Sequence, residues 1–501
     1  MPDSVRFGGS VLGKKICVVG GGFGGLASAC YLAAGGHRVT LLEKNDSLGG
    51  RARVWRTDGF SFDLGPSWYL MPEVFETFFS DFGCARADYY TLHRLDPYYR
   101  VFFSPDEVVD ITPDLAKTRE LFESFEKDGA RKLDAYLEQA AYKYRVAMDE
   151  FLYREYRSLR DFMNRRLMVE GTRLGVFRKL DSFVRGYFQD HRARKILEYA
   201  MVFLGTSPTD APALYSIMSH VDLNLGVWFP YGGMISLVDG VAALARELGV
   251  EIRTNAEVSG IDVSGGRARA VRIGNERLEV DGVLMNADYA HAEMNLLPDE
   301  ARTYRPRYWS GRTMAPSFFV MYLGLNKKLA SVVHHNLYFD HNWGDHFDAI
   351  FKKPGWPERP SYYVSCASYD DDSVAPWRQE NVFFLVPVAA GLDDDPEFRE
   401  QYGEKLLDHF ECLTGEKVRD AIRVKRYYSH RDFATDYNAY KGTALGLAHT
   451  LFQTAVFRPS HRSRKVENLY YSGQYTHPGV GVPMTFISSR VIARAMAQEL
   501  A

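Results

Sequence analysis

Paired cysteines and long apolar runs are both scarce in this sequence. Its five cysteines form no CxxC pair, and their odd number argues against a fully paired disulfide framework, so we expect a reducing, cytoplasmic compartment. No stretch reaches the roughly 18 consecutive apolar residues that cross a bilayer, and the N-terminus lacks the apolar core of a secretory signal. We therefore expect a chain that does not span a membrane, although it can lie on one.

Net charge is also nearly absent. The 61 basic and 64 acidic residues leave a formal charge of -3, which gives no overall attraction for nucleic acid, so we expect no nucleic-acid partner. Hydrophobic residues make up 46% of the chain and charged residues 25%, which is the balance of a folded protein. A chain of 501 residues exceeds the usual size of one hydrophobic core, which predicts two or three structural units.

A compact βαβ unit stands near the start of the sequence. Residues 15–19 have the apolar run of a buried parallel strand, residues 23–34 have the composition of a helix, and residues 37–43 supply a second strand. Further along, the pattern predicts mainly helix over 113–198, a helix over 234–248, and a β-meander of four strands. Aromatic-rich strands predict a second sheet, and the last element is a helix over 483–500. The predicted meander strands are 250–254, 257–263, 268–273 and 280–286, and the aromatic-rich strands are 318–323 and 382–388.

A glycine-rich turn joins the first strand to the first helix. The run Gly20-Gly21-Gly22-Phe23-Gly24-Gly25 satisfies G-x-G-x-x-G in the strand-to-helix context that gives this motif its meaning. The first glycine permits a tight turn, the second leaves room for a pyrophosphate, and the third lets the helix pack close to the strand. Phosphates then meet the free N–H groups of the helix N-terminus. Glu43, at the end of the second strand, is expected to accept hydrogen bonds from a ribose diol.

The continuation of this unit favours FAD over NAD. A Gly49-Gly50-Arg51 turn soon after the second strand offers close backbone approach and a guanidinium near the cofactor's phosphates. The alternative is that Arg51 is a surface charge. Near the other end of the chain, Gly479, Gly481 and Pro483 keep side chains off a flat ligand and introduce the last helix. N–H groups at that helix N-terminus would stabilise the negative charge that develops on a reduced flavin, although a simple Pro/Gly loop is the alternative.

These motifs resemble those of the bacterial-type phytoene desaturases within the wider flavin amine oxidase superfamily. The resemblance extends over most of the chain, and its most specific part is the C-terminal stretch. Besides the glycine turn it rests on Phe62-Asp63-Leu64-Gly65-Pro66-Ser67, Val227-Trp228-Phe229-Pro230-Tyr231-Gly232-Gly233, Asn286-Ala287-Asp288, Asn438-Ala439-Tyr440-Lys441-Gly442 and residues 468–483. At Gly473-Gln474 the chain departs from the Gly-Asp pair that is common elsewhere in the superfamily.

The resemblance implies a set of FAD-binding residues in both halves of the chain. The glycine turn and Glu43 would hold the adenosine half, the segment from Arg51 to Ser67 would follow the pyrophosphate and isoalloxazine, and Val258 would contribute backbone to the adenine. The segment from Gly473 to Met484 would complete the flavin pocket. The predicted cofactor-binding residues are Gly20, Gly22, Phe23, Gly24, Gly25, Glu43, Lys44, Gly50, Arg51, Gly65, Pro66, Ser67, Val258, Gly473, Gly481, Val482, Pro483 and Met484.

The fold implied is α/β (α+β), with three regions. A Rossmann-like FAD-binding domain is joined to a substrate domain on a second mixed sheet and to a helical region that is expected to associate with a membrane. The predicted boundaries are 11–72, 222–292 and 455–501 for the FAD-binding domain, 73–130 and 293–454 for the substrate domain, and 131–221 for the helical region. Residues 151–200 contain 12 basic and 6 acidic residues, interleaved with aromatic side chains. Such a segment suits an anionic membrane surface, although a solvated helix pair is the alternative.

The resemblance implies an FAD-dependent desaturase that acts on a carotenoid precursor such as phytoene. Hydride would pass to flavin N5, the substrate is a long apolar polyene, and oxygen or a quinone would take the electrons. The alternatives within the family are a carotene isomerase, a dehydrosqualene or 3,4-desaturase, and a carotenoid oxygenase. A non-enzymatic alternative is a prenyl-protein carrier of the GDP-dissociation-inhibitor type.

No proton acceptor stands out from the sequence. His477 is the preferred polar candidate because it lies in the C-terminal signature, with a structural role as the alternative. A cluster at helical spacing is a second candidate, for which a solvated helix face is the favoured interpretation. That cluster consists of Glu138, Arg145 and Asp149. No metal site is predicted, because the histidines at 334, 335 and 341 lack a supporting carboxylate spacing.

Overall fold

The computed structural model describes residues 13–157, 170–171 and 174–500. Nineteen strands are found in these residues. They are β1 Lys15–Val19, β2 Arg38–Leu42, β3 Val54–Thr57, β4 Phe60–Asp63, β5 Leu92–Arg94, β6 Tyr99–Ser104, β7 Glu107–Ile111, β8 Trp228–Pro230, β9 Glu251–Arg253, β10 Val258–Ser264, β11 Arg267–Ile273, β12 Glu276–Glu279, β13 Gly282–Met285, β14 Ser317–Leu325, β15 His335–Tyr338, β16 Tyr362–Ser365, β17 Glu380–Val388, β18 Ile422–Tyr428 and β19 Leu469–Tyr471.

Helices surround the strands, and π-helical turns at Ala147–Leu152, Val221–Leu225 and Ala292–Leu296 extend three of them. The α-helices in the described part of the chain are α1 Phe23–Ala34, α2 Pro72–Ser80, α3 Leu115–Phe125, α4 Gly129–Val146, α5 Leu180–Val184, α6 His191–Glu198, α7 Ile217–His220, α8 Ile235–Glu247, α9 Tyr289–His291, α10 Pro306–Ser310, α11 Trp343–Phe351, α12 Pro396–Thr414, α13 His430–Tyr437 and α14 Val482–Leu500.

The first sheet is parallel throughout, with the strand order β19-β13-β1-β2-β9. Four of the five residues of β1 are buried, as expected of a central strand covered on both faces. Helix α1 follows β1 and packs against α8 and α14, and all of its residues from Phe23 to Leu32 are buried. The predicted βαβ unit is therefore confirmed. The sheet draws its strands from three separated parts of the sequence.

The second sheet has seven strands in the order β18-β14-β17-β16-β15-β6-β7. Its longest pair is β14 with β17, antiparallel over nine residues in each strand, and every residue of both is buried. Because β15 runs parallel to β6 while the other neighbours are antiparallel, the sheet is mixed. The aromatic-rich strands predicted a second sheet, and this prediction is confirmed.

The prediction of a four-stranded β-meander is wrong in part. Only β10, β11 and β12 form an antiparallel meander. Strand β9 pairs with β2, and β13 lies between β1 and β19, so both belong to the parallel sheet. All four residues of β13 are buried, which suits a strand inside a parallel sheet better than the half-exposed strand of a meander. The turn signals were present, but they do not reveal which sheet a strand joins.

The region predicted to be helical is mainly helical in its described part, with turns and coil between the helices. It includes α3 to α7 and the turn at Ala147–Leu152. Residues 158–169 and 172–173 of the predicted membrane segment lie outside the described residues. Among the described helices, none combines the length and apolar character required to cross a bilayer. The domain boundaries given above stay a prediction.

Candidate active site

The carboxyl ends of four parallel strands open onto one cavity of about 820 Å³. Val19, Leu42, Met285 and Tyr471, which are the last residues of β1, β2, β13 and β19, all line it. In open α/β sheets this edge is where ligands bind. Every predicted cofactor-binding residue except Gly25 also lines the cavity, and so does His477. The structure thus brings together segments from both ends of the chain, while their contact with FAD stays a prediction.

The glycine turn has the geometry that a dinucleotide requires. Gly20 has a φ of 105°, a conformation that favours glycine. A Cβ on Gly25 would lie 1.9 Å from the carbonyl oxygen of Gly20, so this glycine allows the helix to approach the strand. Gly22 is the N-cap of α1, and no side chain caps that helix. The first N–H groups of α1 are therefore available to a phosphate.

Glu43 ties the second strand to the glycine turn. Its side chain is buried, and Oε2 accepts a hydrogen bond of 2.7 Å from the backbone N–H of Gly21. The other oxygen, Oε1, accepts from the backbone N–H of Asn45 at 2.9 Å. Oε1 also accepts from Asn45 Nδ2 at 3.0 Å, so the second lone pair of Oε2 is the one left for a ribose hydroxyl. Lys44 also lines the cavity, and its Nζ donates to the Thr435 carbonyl at 2.6 Å and to Asn438 Oδ1 at 3.3 Å.

Arg51 fits a polyanionic ligand. Its Nε is buried and has no hydrogen-bond partner among the described residues, and its guanidinium lies over the Tyr437 ring, 5.3 Å from the centroid. A buried donor without an acceptor is costly, and the pyrophosphate of FAD would satisfy it. A Cβ on Gly65 would lie 2.2 Å from the Arg51 carbonyl oxygen, so that glycine lets the two segments meet. Arg51 is partly buried and lines the cavity, which favours the phosphate role over the surface-charge alternative, and that role stays a prediction.

Asn286 and Asp288 connect the two ends of the chain, and the list of predicted site residues omitted both. Asn286 Nδ2 donates to the Ser472 carbonyl at 3.0 Å, and its Oδ1 lies beside the glycine turn. Asp288 Oδ2 accepts from the Tyr475 hydroxyl at 2.7 Å, and burial raises the pKa of this carboxyl, with Arg51 opposing the rise. Their signal was visible in the sequence, because Asn-Ala-Asp directly follows a buried strand.

The C-terminal segment enters the cavity through glycines with positive φ. Gly473 has a φ of 111° and Gly481 a φ of 123°, and α14 begins at Val482. The N-terminus of this helix lines the cavity, as predicted from Pro483 at its first turn. Gln474 Nε2 is buried and lacks a partner in the described part of the chain. This end of the site therefore offers a positive helix terminus and an unsatisfied amide donor.

An aromatic stack follows the segment that carries Ser67. Trp68 lines the cavity and stacks on His335, with ring centroids 4.2 Å apart and an interplanar angle of 7°. His335 Nδ1 lies 2.6 Å from the Tyr363 hydroxyl, which lies 2.9 Å from Ser67 Oγ. Burial holds the pKa of His335 well below its usual value, so the ring is neutral. The stack forms a rigid apolar wall, and sequence patterns alone did not reveal it.

Asp222 is a buried acid among the apolar residues of the cavity. Its Oδ2 accepts hydrogen bonds from the Tyr99 hydroxyl at 2.8 Å and the Tyr199 hydroxyl at 3.0 Å. Burial raises the pKa of Asp222 to about 7, and the two tyrosines oppose the rise. Its Oδ1 has no partner among the described residues. No motif surrounds Asp222 in the sequence, which is why sequence reasoning missed it.

His477 is a weaker base than the sequence suggested. Its Nε2 lies 3.1 Å from the Phe151 carbonyl oxygen, to which it donates as a neutral ring. Burial lowers the pKa of His477 to about 3, with His461 adding to the effect. The second polar candidate lies outside the cavity, because all three of its side chains are exposed on α4 and the turn that follows. For Glu138, Arg145 and Asp149 the solvated-face interpretation is therefore confirmed.

One His/Asp cluster lies outside the cavity. Asp340 Oδ2 is 2.8 Å from His409 Nε2 and 3.2 Å from His341 Nδ1, so His341 has a carboxylate neighbour that the sequence analysis overlooked. The Tyr362 hydroxyl lies 3.0 Å from His409 Nδ1. Lys195 Nζ donates to the His341 carbonyl oxygen at 3.0 Å, which puts a cation beside the cluster. Internal hydrogen bonds account for the arrangement.

Comparison with known proteins shows the family of this chain. The family model described as flavin containing amine oxidoreductase matches residues 23–497. A carotenoid 3,4-desaturase of Haloarcula japonica is 46% identical over 490 residues, covering 98% of this chain and 99% of the relative. A zeta-carotene-forming phytoene desaturase of Myxococcus xanthus is 35% identical over 495 residues, covering 97% of this chain and 94% of the relative.

Solved structures support the fold. An oxidoreductase from Methanosarcina mazei superposes with a TM-score of 0.64 at 16% identity, covering 96% of this chain and 100% of that structure. At this identity the likeness bears on the fold alone. The fold class predicted from the sequence is thus confirmed, with a flavin-type α/β domain joined to a second mixed sheet.

Proposed function

This chain belongs to the carotenoid desaturases of the flavin containing amine oxidoreductase family, and from that premise we propose that it desaturates a carotenoid at the 3,4 position. It is an FAD-dependent oxidoreductase, and the prenyl-protein carrier is set aside. The position of desaturation is supported by the 46% identity to a carotenoid 3,4-desaturase, against 35% to a phytoene desaturase. Desaturation of phytoene is the second candidate.

The observation that carries the proposal is that one cavity joins the predicted cofactor segments to a large apolar lining. An apolar channel of this kind can bind a polyene and exclude water from the reacting carbons. The apolar lining residues contributed by the second sheet and the helical region include Leu152, Phe203, Met218, Val221, Phe318 and Leu385.

The residues of the site divide into binding and proton-accepting groups. Bound FAD supplies an acceptor for hydride. We assign the phosphates to the N-terminus of α1 and to Arg51, and the flavin edge to the N-terminus of α14. For the proton that leaves the neighbouring carbon we assign Asp222, because a pKa of about 7 suits a base that works near neutral pH. His477, with a pKa of about 3, is too weak a base for that role.

The reaction is tested in bacteria engineered to make either phytoene or lycopene. We expect the lycopene strain to accumulate a carotenoid with a longer chromophore, and the phytoene strain to stay colourless. A Gly22→Ala variant, expressed to the same level, is the control for flavin dependence. Coloured products in the phytoene strain, with lycopene unchanged, would favour the second candidate and overturn the first.

A second measurement separates desaturation from isomerisation and oxygenation. Purified protein with FAD is incubated with lycopene without oxygen, in one turnover. Desaturation predicts one equivalent of reduced flavin for each double bond formed. Product formed without net flavin reduction would indicate an isomerase. Product that forms only when oxygen is present, and that contains oxygen atoms, would indicate an oxygenase. The same assay with oxygen or a quinone added then identifies the electron acceptor, for which these two remain our candidates.

We also propose that the cavity receives its substrate from a membrane surface. Phe177 lines the cavity and is 82% exposed, and it is followed by the exposed Arg178 and Lys179. Phe452 is 72% exposed and packs against Phe457, with ring centroids 6.0 Å apart, and Thr454 and Ala455 between them line the cavity. Exposed aromatic residues with adjacent cations at a cavity rim suit the headgroup region of an anionic bilayer.

Sedimentation with lipid vesicles tests the membrane proposal. We expect the protein to bind vesicles that contain phosphatidylglycerol more strongly than vesicles of phosphatidylcholine alone. A Phe177→Ser, Phe452→Ser double variant should lose this binding. Trp377→Ser is the matched control, because Trp377 is 81% exposed but neither it nor the residues on either side of it line the cavity. Equal losses in the double variant and the control would contradict the proposed contact surface.

A further inference from the structure

A buried arginine lies behind the C-terminal flavin loop. Arg458 is 5% exposed, and its guanidinium donates only to backbone carbonyl oxygens. Its Nε lies 3.2 Å from the carbonyl oxygens of Tyr475 and Thr476, Nη1 lies 3.1 Å from that of Gln453, and Nη2 donates to that of Gln474. Three of its four partners thus belong to one stretch, residues 474–476.

This guanidinium has no acid beside it. Among the described residues no Asp or Glu forms an ion pair with Arg458, in contrast to the buried Arg490, which pairs with Asp81 at 2.7 Å. Burial lowers the pKa of Arg458 to about 10, so the side chain keeps its charge at neutral pH. Its neighbour His449 is neutral, because burial and then Arg458 lower the pKa of that ring well below its usual value. A buried charge without a counter-ion opposes folding, which calls for a compensating negative charge nearby.

The loop separates this charge from the cavity. Ser472, Gly473, Gln474, Tyr475 and His477 line the cavity, whereas Arg458 does not. The contact is close, since a Cβ on Gly479 would lie 2.2 Å from His449 Nε2 and 3.4 Å from Arg458 Cζ. His449 Nε2 accepts a weak hydrogen bond of 3.4 Å from the backbone N–H of Val480.

The direction of the loop peptides reinforces the charge. In a trans peptide the N–H points opposite to the C=O. Because the carbonyls of Gln474 and Tyr475 turn toward Arg458, the N–H groups of the same peptides, those of Tyr475 and Thr476, turn away from it. The N–H of Thr476 closes a turn onto the Gly473 carbonyl at 3.1 Å. The guanidinium therefore holds the loop dipoles in one orientation as well as adding its own charge.

We propose that Arg458 is a positioning residue that fixes the loop of residues 472–480 against the bound flavin and supplies positive charge that favours the reduced over the oxidised cofactor. The inference rests on the chain binding FAD. The phosphates of FAD are already assigned to Arg51 and the N-terminus of α1. The loop in front of Arg458 instead leads directly into Gly481 and α14, which are assigned to the flavin edge. Positive charge there would oppose the loss of a hydride from the flavin and assist its gain.

The test compares the flavin reduction potential of holoprotein variants by anaerobic dye equilibration. Arg458→Lys keeps the charge, whereas Arg458→Met and Arg458→Gln remove it. We expect both neutral variants to lower the equilibrium constant for flavin reduction at least tenfold, which for a two-electron couple is a shift of about 30 mV to more negative potential. The Lys variant should keep most of the parental potential. Lys195→Met is the control, because Lys195 also donates to backbone carbonyls, those of Phe339 and His341, but neither of these partners lines the cavity, whereas Gln474 and Tyr475 do.

Each outcome is decisive. Neutral variants that hold FAD at the parental potential would overturn the proposal, and so would neutral variants that lose FAD while the Lys variant keeps it, because the charge would then serve binding alone. Failure of all three variants to fold would assign Arg458 a structural role only. Absence of FAD from the parent protein itself would instead contradict the proposed function.

Discussion

Replacing Gly22 with alanine should separate cofactor binding from folding. Gly22 has a φ of -76° and a ψ of 177°, which any residue can adopt. The nearest atoms to an added Cβ are Asn286 Oδ1 at 3.3 Å, Gly50 Cα at 3.9 Å and the Gly49 carbonyl oxygen at 4.0 Å. Only the distance to Asn286 Oδ1 is shorter than an ordinary van der Waals contact. Because alanine is a poorer N-cap than glycine, we expect the free energy of unfolding of the FAD-free protein to fall by about 1 kcal/mol or less.

Cofactor binding should suffer much more than folding. The added methyl group would stand at the N-terminus of α1, where a phosphate is expected to meet the helix N–H groups. Loss of one hydrogen bond to a charged group costs about 1.5–3 kcal/mol, which corresponds to roughly a 10- to 150-fold rise in the Kd for FAD. Thermal unfolding without FAD measures the first effect, and quenching of flavin fluorescence on titration measures the second.

A matched control lies at the other end of the same helix. Gly36 has a φ of 87°, and a Cβ there would meet no atom within 4 Å. Gly36→Ala should therefore lower stability through backbone strain alone and leave the Kd for FAD unchanged. If Gly22→Ala bound FAD as tightly as the parent protein, the assignment of the phosphates to this turn would be refuted.

Three further substitutions extend the test. Gly25→Ala puts a Cβ 1.9 Å from the Gly20 carbonyl oxygen, so calorimetry should show a free energy of unfolding lower by about 1–3 kcal/mol even without FAD, and an unchanged melting curve would contradict the close helix–strand packing. Arg51→Met should weaken FAD binding about tenfold or more in the same titration, since it removes a charge-assisted contact to the phosphates, and Arg56→Met, outside the cavity lining, should not. Asp222→Asn should retain FAD but lower kcat by about 100-fold or more, and an unimpaired rate would remove Asp222 as the base. The carboxyl at position 222 has its pKa raised from 3.8 to about 7 in the folded protein, so it binds a proton there that the unfolded chain releases. As the pH rises from 3.8 to about 7, the free energy of unfolding of the parent should therefore fall by roughly 1 kcal/mol per pH unit. Denaturant titrations should show a smaller fall for the Asn variant.

Local patterns predicted the dinucleotide half of the fold well. The helix expected over residues 23–34 is Phe23–Ala34, and the helix expected over 234–248 is Ile235–Glu247. A strand, a glycine turn and a helix follow one another along the chain, so periodicity and turn chemistry are enough to find them. The same holds for the C-terminal helix, because Pro483 at the first turn indicates the start of α14.

Contacts between distant parts of the chain were not predictable in this way. Asp222 receives its hydrogen bonds from Tyr99 and Tyr199, which lie 123 and 23 positions away. Trp68 stacks on His335, and each residue alone is typical of an ordinary core. Strands β9 and β13 belong to the parallel sheet because they pair with β2 and β19, which lie far away in the sequence and cannot be predicted from local patterns. The cofactor side of the site can therefore be predicted from sequence motifs, whereas the substrate side depends on tertiary packing.

Unsatisfied donors lie in the cavity where the two ends of the chain meet. Arg51 Nε and Gln474 Nε2 are both buried without partners among the described residues, and both residues line the cavity. Unpaired buried donors oppose folding unless a ligand accepts their hydrogen bonds. Where relatives are expected to present a carboxylate after Gly473, this chain presents an amide, which can donate as well as accept. A ligand rich in acceptor oxygens, as FAD is, would therefore stabilise the junction between the N-terminal and C-terminal segments by accepting hydrogen bonds from these two donors.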